Sequence, residues 1–492
     1  MKSNTIKIAA VAAACLVAAT SANALNTDKR ELKNNMILVN NINPKAVNSF
    51  DEMFSEGVLY GRLRSNMFHW DWENEKPGST ADNSAWGVGG SLIYSTGYLN
   101  GFGATAGMYT THTIETDNQE TSGGVTFDAG KAGKDTYSRA DGSGAHIDVL
   151  ALAYLEYKFA KSSIKVGRQI FESTMLRSND TKMIPNTFEG YSIESKDLAD
   201  TKLRAAYFTR QKLRDHRDFH SIIAFDGRDE NDDAGTHKGL TIANIKAEGA
   251  EVEPDMIVAT VENKSIKGLK LNLDGMYIDE FVSSAIAEVN YEIGLGDSGW
   301  KLTPGARYIH QMDEGAGKIG GAALSGKANL GGYTDEDSVD ASAWMARLEL
   351  KKGAGKIMAG YSEISDDADL IAPWRGFPTG GYTRSMAQYN WEANTKSWMI
   401  KGAYDLGKAG IVSGLRGSLD YAYMDYDQTK IDAGSIGKTD RGIIHLDMQK
   451  TFDSAPNLEL KLRAAMVDAD ASPNSTDYQS YNEYRFEINY LF

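Results

Sequence analysis

The sequence predicts an all-β fold: a transmembrane antiparallel β-barrel of about 18 strands, with short turns at one rim and long loops at the other. Three observations predict it. The end of the chain alternates between apolar and charged side chains, similar segments recur from residue 57 onwards, and short links alternate with long ones. A two-sided soluble sheet is the alternative that these patterns leave open.

The closing segment, residues 481–492, has two chemically different faces, because alternate side chains of a strand point to opposite sides. One face carries aromatic and aliphatic side chains: Tyr484, Phe486, Ile488, Tyr490 and Phe492. The other face carries polar side chains: Glu483, Arg485, Glu487 and Asn489. Aromatic residues clustered at the chain end are typical of the interfacial girdle of a membrane barrel.

The N-terminus has the pattern of a secretory signal peptide. Two lysines form a basic start, residues 8–19 an apolar stretch, and Ala22-Asn23-Ala24 a small-residue cleavage site. Residues 1–24 are therefore predicted to be removed on export, together with Cys15, the only cysteine. A lipoprotein signal ending at Cys15 is the alternative. Without a mature cysteine, stability must come from backbone pairing and packing rather than from disulfides.

Composition excludes several classes of protein. Beyond the signal no run of 18 apolar residues occurs, so no transmembrane helix is predicted. The length of 492 residues would allow two or three domains, but no Pro/Ser-rich linker or composition shift divides the chain. We therefore predict one barrel over residues 57–492. The formal net charge is −15, and no nucleic-acid partner is expected.

The links between the alternating segments differ in length in a regular way. Short links rich in Gly, Asn, Asp and Ser, as tight hairpins require, lie at 97–101, 160–163, 197–200, 263–268, 296–299, 352–356, 407–410 and 453–456. Long polar stretches lie at 114–145, 172–187, 212–254, 312–338 and 365–395. Both termini are predicted at the short-turn rim. Residues 238–247 could form an extra strand or part of a loop.

Residues 25–56 are predicted to form a periplasmic segment with one short helix. The helix is expected over 44–56, because Pro44 can begin it and Gly57 can end it. Its apolar stripe would consist of Val47, Phe50, Met53 and Phe54. A structural cap at the periplasmic rim or in the lumen is the expected role, and a gating device is the alternative.

Charged residues on the second face of the strands indicate a water-filled interior. In residues 457–467 the leucines lie opposite Glu459, Lys461 and Arg463. A strand buried in a sandwich would not place Lys, Arg and Glu on a face that has to be covered. With lipid outside and water inside, each face meets a matching solvent. The sequence therefore predicts a pore.

Two segments resemble a known family. Residues 50–64, FDEMFSEGVLYGRLR, resemble the entry to the first strand of OprD-type porins, a group similar to the major outer-membrane porins of campylobacter-like bacteria. Residues 165–169, KVGRQ, with 181–190, TKMIPNTFEG, are similar to that family's fifth strand and inward-folded third loop. The terminal Phe492 resembles the assembly signal of outer-membrane proteins. The resemblance implies a general or carboxylate-preferring porin of a Gram-negative outer membrane, with a homotrimer among the states it allows.

The expected function is passive diffusion of small hydrophilic solutes and ions through a water-filled channel surrounded by outer-membrane lipid and lipopolysaccharide. The alternatives are a structural outer-membrane protein or adhesin, a non-pore outer-membrane enzyme and an energised receptor-transporter. The eight histidines offer no catalytic pairing, and too few residues precede residue 57 for a folded plug domain. No catalytic group, cofactor or metal site is predicted.

Selectivity in such a channel depends on pore width and lining charge. By strand parity nine arginines are predicted to face the lumen: Arg62, Arg64, Arg204, Arg210, Arg307, Arg347, Arg416, Arg463 and Arg485. Arginine stays charged and binds carboxylates bidentately, and the resemblance implies a basic ladder of this kind. The alternative is that these arginines pair with lumen acids such as Glu459 and Asp420. Arg168 points at lipid by parity, and a bulge near Gly167 would turn it inward.

The loop over residues 171–190 is predicted to fold into the barrel as a constriction. It supplies Glu172, Arg177, Asp180 and Lys182, which with the wall arginines would form the narrowest part. A surface loop with no special role is the alternative. Acidic clusters at 229–233, 335–340 and 366–369 are predicted to form a solvated outer rim, with specific cation binding as the alternative.

Overall fold

The computed structural model describes residues 30–73, 82–117, 119–122, 125–128, 146–178, 180–214, 216–223, 237–372, 376–386, 388–471 and 479–492. The predicted signal peptide over 1–24 and the acidic cluster at 229–233 lie outside these residues. Within the described ranges, no helix has both the length and the apolar character needed to cross a bilayer.

In the described part of the chain, 18 strands form one closed antiparallel barrel. In chain order they are β1 Val58–Trp72, β2 Asn83–Ser95, β3 Phe102–Asp117, β4 His146–Phe159, β5 Ser162–Gln169, β6 Thr187–Ser195, β7 Thr201–Lys212, β8 Met256–Asn263, β9 Leu269–Ile278, β10 Val282–Tyr291, β11 Lys301–Asp313, β12 Ala341–Lys352, β13 Gly355–Ile364, β14 Lys396–Asp405, β15 Leu415–Asp425, β16 Arg441–Phe452, β17 Ala455–Ala469 and β18 Tyr481–Leu491. The predicted fold and strand number are confirmed.

The barrel closes where β18 pairs with β1, with Tyr481 opposite Trp72 and Leu491 opposite Arg62. Closure satisfies every strand edge, which a sheet in lipid requires. The C-terminal residue takes part, because Gly61 and Phe492 exchange backbone hydrogen bonds of 2.9 and 3.1 Å. A Cβ on Gly61 would lie 2.2 Å from the Ser91 carbonyl oxygen and 2.6 Å from the Phe492 ring, so this seam requires a glycine.

The eight predicted short links join successive strands at one rim, from the link between β2 and β3 to the link between β16 and β17. Several of their residues have a positive φ, among them Asn100 (51°), Gly101 (88°) and Asp200 (52°), as tight turns require. The links at the other rim are longer, except that only residues 279–281 join β9 to β10. The predicted difference between the two rims is therefore confirmed.

The described part of the chain also contains short strands and helices in addition to the 18 barrel strands. Short strands pair at Arg30–Leu32 with Leu38–Asn40, at Ala46–Val47 with Tyr98–Leu99, and at Gln119–Ser122 with Val125–Asp128. Ile293–Gly294 extends the pairing of β11, and Gly296–Ser298 is a 3₁₀ turn. The α-helices are α1 Phe50–Ser55, α2 Ile242–Glu248, α3 Ala316–Gly320 and α4 Gln428–Asp432.

Residues 238–247 add no strand to the barrel. The Thr241 side chain accepts a hydrogen bond from the backbone N–H of Asn244 and begins α2. Gly249, in the left-handed conformation, ends the helix. The segment is therefore part of a loop.

The predicted helix over 44–56 is wrong in its first half. Ser49 begins α1 by accepting a hydrogen bond from the Glu52 N–H, whereas Ala46–Val47 form a strand. Phe50 and Phe54 are 65% and 53% exposed, whereas Val47 is buried in the short strand, so the four predicted residues do not share one apolar stripe. A strong N-cap outweighs the start signal of a proline five residues earlier.

Residues 30–40 form a hairpin inside the barrel, which we call the luminal hairpin. Arg30–Leu32 pair with Leu38–Asn40. Its apolar side chains are buried against the inner wall in a cluster of Leu32, Met36 and Leu38 with Ile93, Tyr109, Ile147, Val149 and Ile184. The predicted periplasmic segment 25–56 therefore has a part that lies within the lumen.

The strand faces have the expected polarity. In β17, Leu462 and Met466 are 40% and 56% exposed on the outer face, whereas Glu459, Lys461 and Arg463 are less than a tenth exposed inside. Apolar side chains that are exposed on the outside of a closed barrel are those that meet lipid.

Loops fill part of the interior. Wall side chains of β7 to β13, such as Phe208, Ile309 and Met345, join one buried cluster with the loop residues Ile245 and Ile371. The long loops therefore fold back over this part of the inner wall. The open space that remains lies against β12–β18 and β1.

Candidate pore and constriction

The loop between β5 and β6 is fixed to the inner wall of β1. The Arg62 guanidinium donates to the Asp180 carboxylate. Arg64 donates to the Asp180 carbonyl oxygen (2.5 Å), and Asn66 Nδ2 donates to the Thr181 carbonyl oxygen (2.6 Å). Successive inward residues of a single strand thus hold the loop inside the barrel, as predicted for residues 171–190.

A buried charge network underlies this attachment. The side chains of Arg62, Arg64, Asp180 and Glu487 are at most 2% exposed, and Arg64 also pairs with Glu487 at 2.7 Å. Buried charges are tolerated when they are paired and hydrogen-bonded. The two arginines therefore anchor the loop, and they lie beneath it.

Apolar side chains keep the rest of the loop inside. Met175 and Leu176 are buried in the cluster that contains Phe208, and Ile184 is buried against Ile147 of β4. Moving each of these side chains into water would cost about 1.5–3 kcal/mol of free energy. The inward course of the loop is thus stabilised by packing as well as by charge.

Residues 376–386 and 388–392 belong to a second inward segment, although the sequence predicts 365–395 as an outer loop. Tyr382 is fully buried beneath Arg307 and Arg347, whose guanidinium carbons lie 4.7 and 4.9 Å from its ring centre. Ser385 donates to the Asp420 carboxylate of β15 at 2.7 Å. Wall arginines that were predicted as ladder rungs therefore hold this segment in place.

Two adjoining cavities lie in the remaining space, with volumes of about 560 and 730 Å³. The smaller is bounded by both inward segments and by the inner wall, and we call it the central cavity. The larger is bounded by the luminal hairpin and by short-turn residues such as Gly414 and Pro456. Asn34, Arg177 and Arg416 line both, so the two spaces meet at these side chains.

Cations dominate the lining of the central cavity. Among the described residues it has two aspartates, Asp405 and Asp447, and eleven basic side chains: Arg177, Lys182, Arg214, Lys351, Lys356, Arg384, Lys401, Arg416, Lys461, Arg463 and Arg485. Carboxylates behind the lining pair with Lys356, Lys401, Arg463 and Arg485; they are Glu349, Asp420, Glu487 and Glu483. Basic groups still outnumber acidic ones, in a chain whose net charge is −15.

Several of these cations face the cavity without a carboxylate partner. In the described part of the chain, Arg177, Lys351, Arg384 and Arg416 form no ion pair. Arg384 lies 3.8 Å from the ring centre of Phe377, and Arg416 donates to Gln449 at 2.7 Å. An anion in this space would meet cationic side chains that no carboxylate of the described residues neutralises.

The predicted site residues divide into three groups. Those that line the central cavity are Arg177, Lys182, Arg416, Arg463 and Arg485. Those that lie inside the barrel and are held by loop or wall contacts are Arg62, Arg64, Glu172, Asp180, Arg204, Arg307 and Arg347. Arg168 and Arg210 lie on the outer face.

The prediction of Arg168 as pore lining is wrong. The pairing of β5 with β4 and with β6 runs unbroken through Gly167, although this glycine has a φ of 121°. Without a register shift Arg168 stays on the same face as Val166, which is 41% exposed. It pairs there with Glu189 at 3.2 Å and stacks on Phe219.

Arg210 was also predicted to face the lumen, and this prediction is wrong as well. The register of β6 and β7 shifts between Glu189 and Gly190, so β7 contains one extra residue there. Such a bulge reverses the faces of the residues that follow it. Arg210 accordingly faces outward and pairs with Glu253 at 3.7 Å, whereas Gln211 is buried inside.

Six cations of the central cavity are absent from the predicted site: Arg214, Lys351, Lys356, Arg384, Lys401 and Lys461. Strand parity alone could have found Lys461, which lies on the predicted inner face of 457–467. Arg384 belongs to the second inward segment, where no periodicity indicates which way a side chain points.

Comparisons with known proteins agree with this architecture. The family described as "outer membrane porin, OprD family" matches residues 54–492. Pseudomonas aeruginosa OpdK, solved with vanillate, is 16% identical with a TM-score of 0.67 and covers 89% of this chain and 99% of its own. OccK9 (OpdG) of the same organism is 18% identical with a TM-score of 0.68 and the same coverage. OccD3 (OpdP) is 17% identical with a TM-score of 0.63, and the match covers 88% and 91%.

Among curated proteins no relative of the chain is found. The family match extends over nearly all of the barrel, and the solved structures share its fold. The chain therefore belongs to the OprD family of outer membrane porins, and it is a channel for passive diffusion of small solutes across the outer membrane of a Gram-negative bacterium.

Proposed function

We propose that the channel favours anions over cations, and small carboxylates in particular. The observation that carries the proposal is the lining of the central cavity, where eleven Lys and Arg of the described residues face two Asp. Charge of one sign inside a low-dielectric wall focuses the field and raises the local concentration of counter-ions. Arginine adds specificity, because its planar group binds a carboxylate through two hydrogen bonds.

The basic surface differs in shape from the predicted ladder of nine arginines. It is a cluster around Arg177, Arg384 and Arg416, built partly by loops. Wall arginines such as Arg62 and Arg307 support the cluster indirectly, because they hold the loops that carry it. We infer that loop position as well as wall charge sets the selectivity.

Aromatic side chains in the same cavity favour carboxylates with a flat apolar body. Phe68, Trp70, Phe377, Tyr389 and Tyr404 line it beside the cations. Rings offer stacking faces for another ring, and the cations offer partners for its carboxylate. The neighbouring OpdK structure was solved with vanillate. We propose benzoate-like anions as a preferred class for this chain.

Solute entry into proteoliposomes tests this proposal with size-matched probes. Benzoate should enter faster than benzylammonium, which has a similar body and the opposite charge. Benzoate should also enter faster than cyclohexanecarboxylate, which lacks the ring. Equal rates for benzoate and benzylammonium would contradict the anion preference, whereas equal rates for the two carboxylates would contradict only the aromatic preference.

We also propose that the channel performs no chemistry on its solutes and contacts lipopolysaccharide at the long-loop rim. Arg168 and Arg210 support this contact: they lie on the outer face beyond the exposed Tyr191 and Tyr207, where a girdle meets the headgroups.

The predicted homotrimer stays a prediction. Native mass spectrometry of the protein in detergent distinguishes a monomer from a trimer.

A further inference from the structure

We propose that the luminal hairpin, residues 30–40, forms one side of the channel constriction and limits its cross-section. The hairpin lies outside the residues that match the family, which begin at residue 54. The proposal requires that the barrel is a channel. It is independent of the proposed preference for anions.

The tip of the hairpin is fixed at the level of the buried charge network. A tight turn forms it, with hydrogen bonds from the Met36 N–H to the Lys33 carbonyl oxygen (2.8 Å) and from the Lys33 N–H to the Ile37 carbonyl oxygen (3.0 Å). Arg62 donates to the Met36 carbonyl oxygen at 2.7 Å. The Met36 side chain is 1% exposed, and its sulfur lies 3.7 Å from Lys461 Nζ.

Hydrogen bonds and an ion pair join the tip to the constriction loop. Asn35 Nδ2 donates to the Glu172 carboxylate and to the Ser178 carbonyl oxygen, both at 2.6 Å. Lys33 pairs with Glu172 at 2.6 Å. The Asp180 N–H donates to the Asn35 carbonyl oxygen at 3.4 Å. Loop and hairpin therefore form one connected unit across the lumen.

The inner wall of β2 to β4 has the apolar character of a surface that is covered by protein rather than by water. Its inward side chains at the hairpin are apolar: Ile93, Tyr109, Ile147 and Val149 are at most 5% exposed. In a water-filled lumen such side chains would be hydrated at a cost of about 25 cal/mol per Å². The inner faces of β17 and β18 carry charges instead, such as Lys461 and Arg485. The apolar wall thus indicates a hairpin that resides in the lumen.

The other side of the hairpin faces the solute path. Arg30 to Asn34 line the larger cavity, while Asn34 and Asn35 line the central one. Arg177 and Arg416 line the same spaces. A solute that moves between the two cavities therefore passes between the hairpin and these arginines.

Deletion of residues 30–40, with residues 41–56 kept, tests the proposal in planar bilayers. We expect the single-channel conductance to rise by about twofold, because conductance follows the open width of a pore. The heat-dependent shift in gel mobility that is typical of folded barrels serves as the control for folding. A folded deletion variant with unchanged conductance would overturn the proposal.

A second variant decides the question if the deletion variant does not fold. In the full mature protein, which has no cysteine of its own if Cys15 leaves with the signal, Asn34→Cys is treated with a charged methanethiosulfonate. Modification is verified by mass. We expect a stepwise fall in conductance to about half, since the added group narrows the path. Lys45→Cys is the matched control, because the Lys45 side chain is 75% exposed and pairs with Glu56 outside the lumen. Modified Asn34→Cys protein with normal conductance would overturn the proposal.

Discussion

Arginines on the inner wall have two kinds of surroundings, which give them different roles. Arg62 and Arg64 are buried beneath a loop and share the Asp180 carboxylate. Arg177 and Arg416 face the cavities and form no ion pair in the described part of the chain. A buried charge must have a partner, whereas a solvated one is available to a solute. Residue type and strand parity do not distinguish these cases.

Substitution of Arg177 tests the role of the solvated group. We expect Arg177→Gln to lower the anion-to-cation permeability ratio by about twofold, because a cavity-lining charge is removed. Reversal potentials in a salt gradient measure this ratio. Arg168→Gln is the matched control, since Arg168 lies on the outer face, and it should leave the ratio unchanged. Equal shifts in the two variants would contradict the assignment.

Substitution of Asp180 tests the buried network. Asp180→Ala leaves two buried arginines without their shared carboxylate, and we expect the free energy of unfolding to fall by about 3–5 kcal/mol. Denaturant unfolding followed by tryptophan fluorescence measures the loss. Glu292→Ala is the control: the side chains of Glu292 and its partner Lys301 are 47% and 53% exposed, and this pair should contribute about 0–1 kcal/mol. Comparable losses of unfolding free energy in the two variants would contradict the expectation that the buried pairs contribute more than the exposed one.

At the scale of elements, alternation predicted the strands, whereas the inward course of the loop over 171–190 followed from the family resemblance and that of the second inward segment was not predicted. Strand alternation is a local property, so the strand faces, short turns and strand number follow from it. The inward course of the second inward segment depends on Arg307, Arg347 and Tyr382, which meet only in the folded barrel. The luminal hairpin did leave a signal. In β4, Ile147 and Val149 face inward while Leu150 faces outward, so both faces are apolar.

The outer loops share one buried carboxylate, Asp369. It accepts hydrogen bonds from the Tyr333 hydroxyl (2.6 Å) and from the backbone N–H groups of Ala393 (2.7 Å) and Leu324 (2.8 Å). Burial, with Glu392 nearby, raises the pKa of Asp369 to about 6. One titratable group thus joins three loop segments.

This carboxylate predicts a pH dependence of loop stability. The folded pKa of about 6 exceeds the ordinary value of 3.8, so the folded loops bind the proton more tightly than unfolded loops do. The stabilisation of the folded loops by this bound proton is complete below about pH 4 and is lost as the pH rises through 6. We expect proteolytic nicking within 365–395 to be slower at pH 5 than at pH 7.5, relative to Asp369→Asn measured alongside. A ratio between the two proteins that does not change with pH would contradict this.

For the whole molecule, the net charge of the chain and the charge of the cavity lining have opposite signs. The chain has a net charge of −15, yet its central cavity is basic. The sequence could predict a barrel with a polar lumen, and five of the predicted residues do line the cavity. It could not predict which of them remain available to a solute, because this depends on loops packed across the lumen. The bulge that turns Arg210 outward is equally invisible to strict alternation.

The most direct test of the account is the zero-current potential of the unmodified protein in a planar bilayer under a KCl gradient. The account predicts stepwise channel openings and a potential with the sign of the chloride equilibrium potential. A potential with the sign of the potassium equilibrium potential, or a potential of zero, would contradict the proposed anion preference.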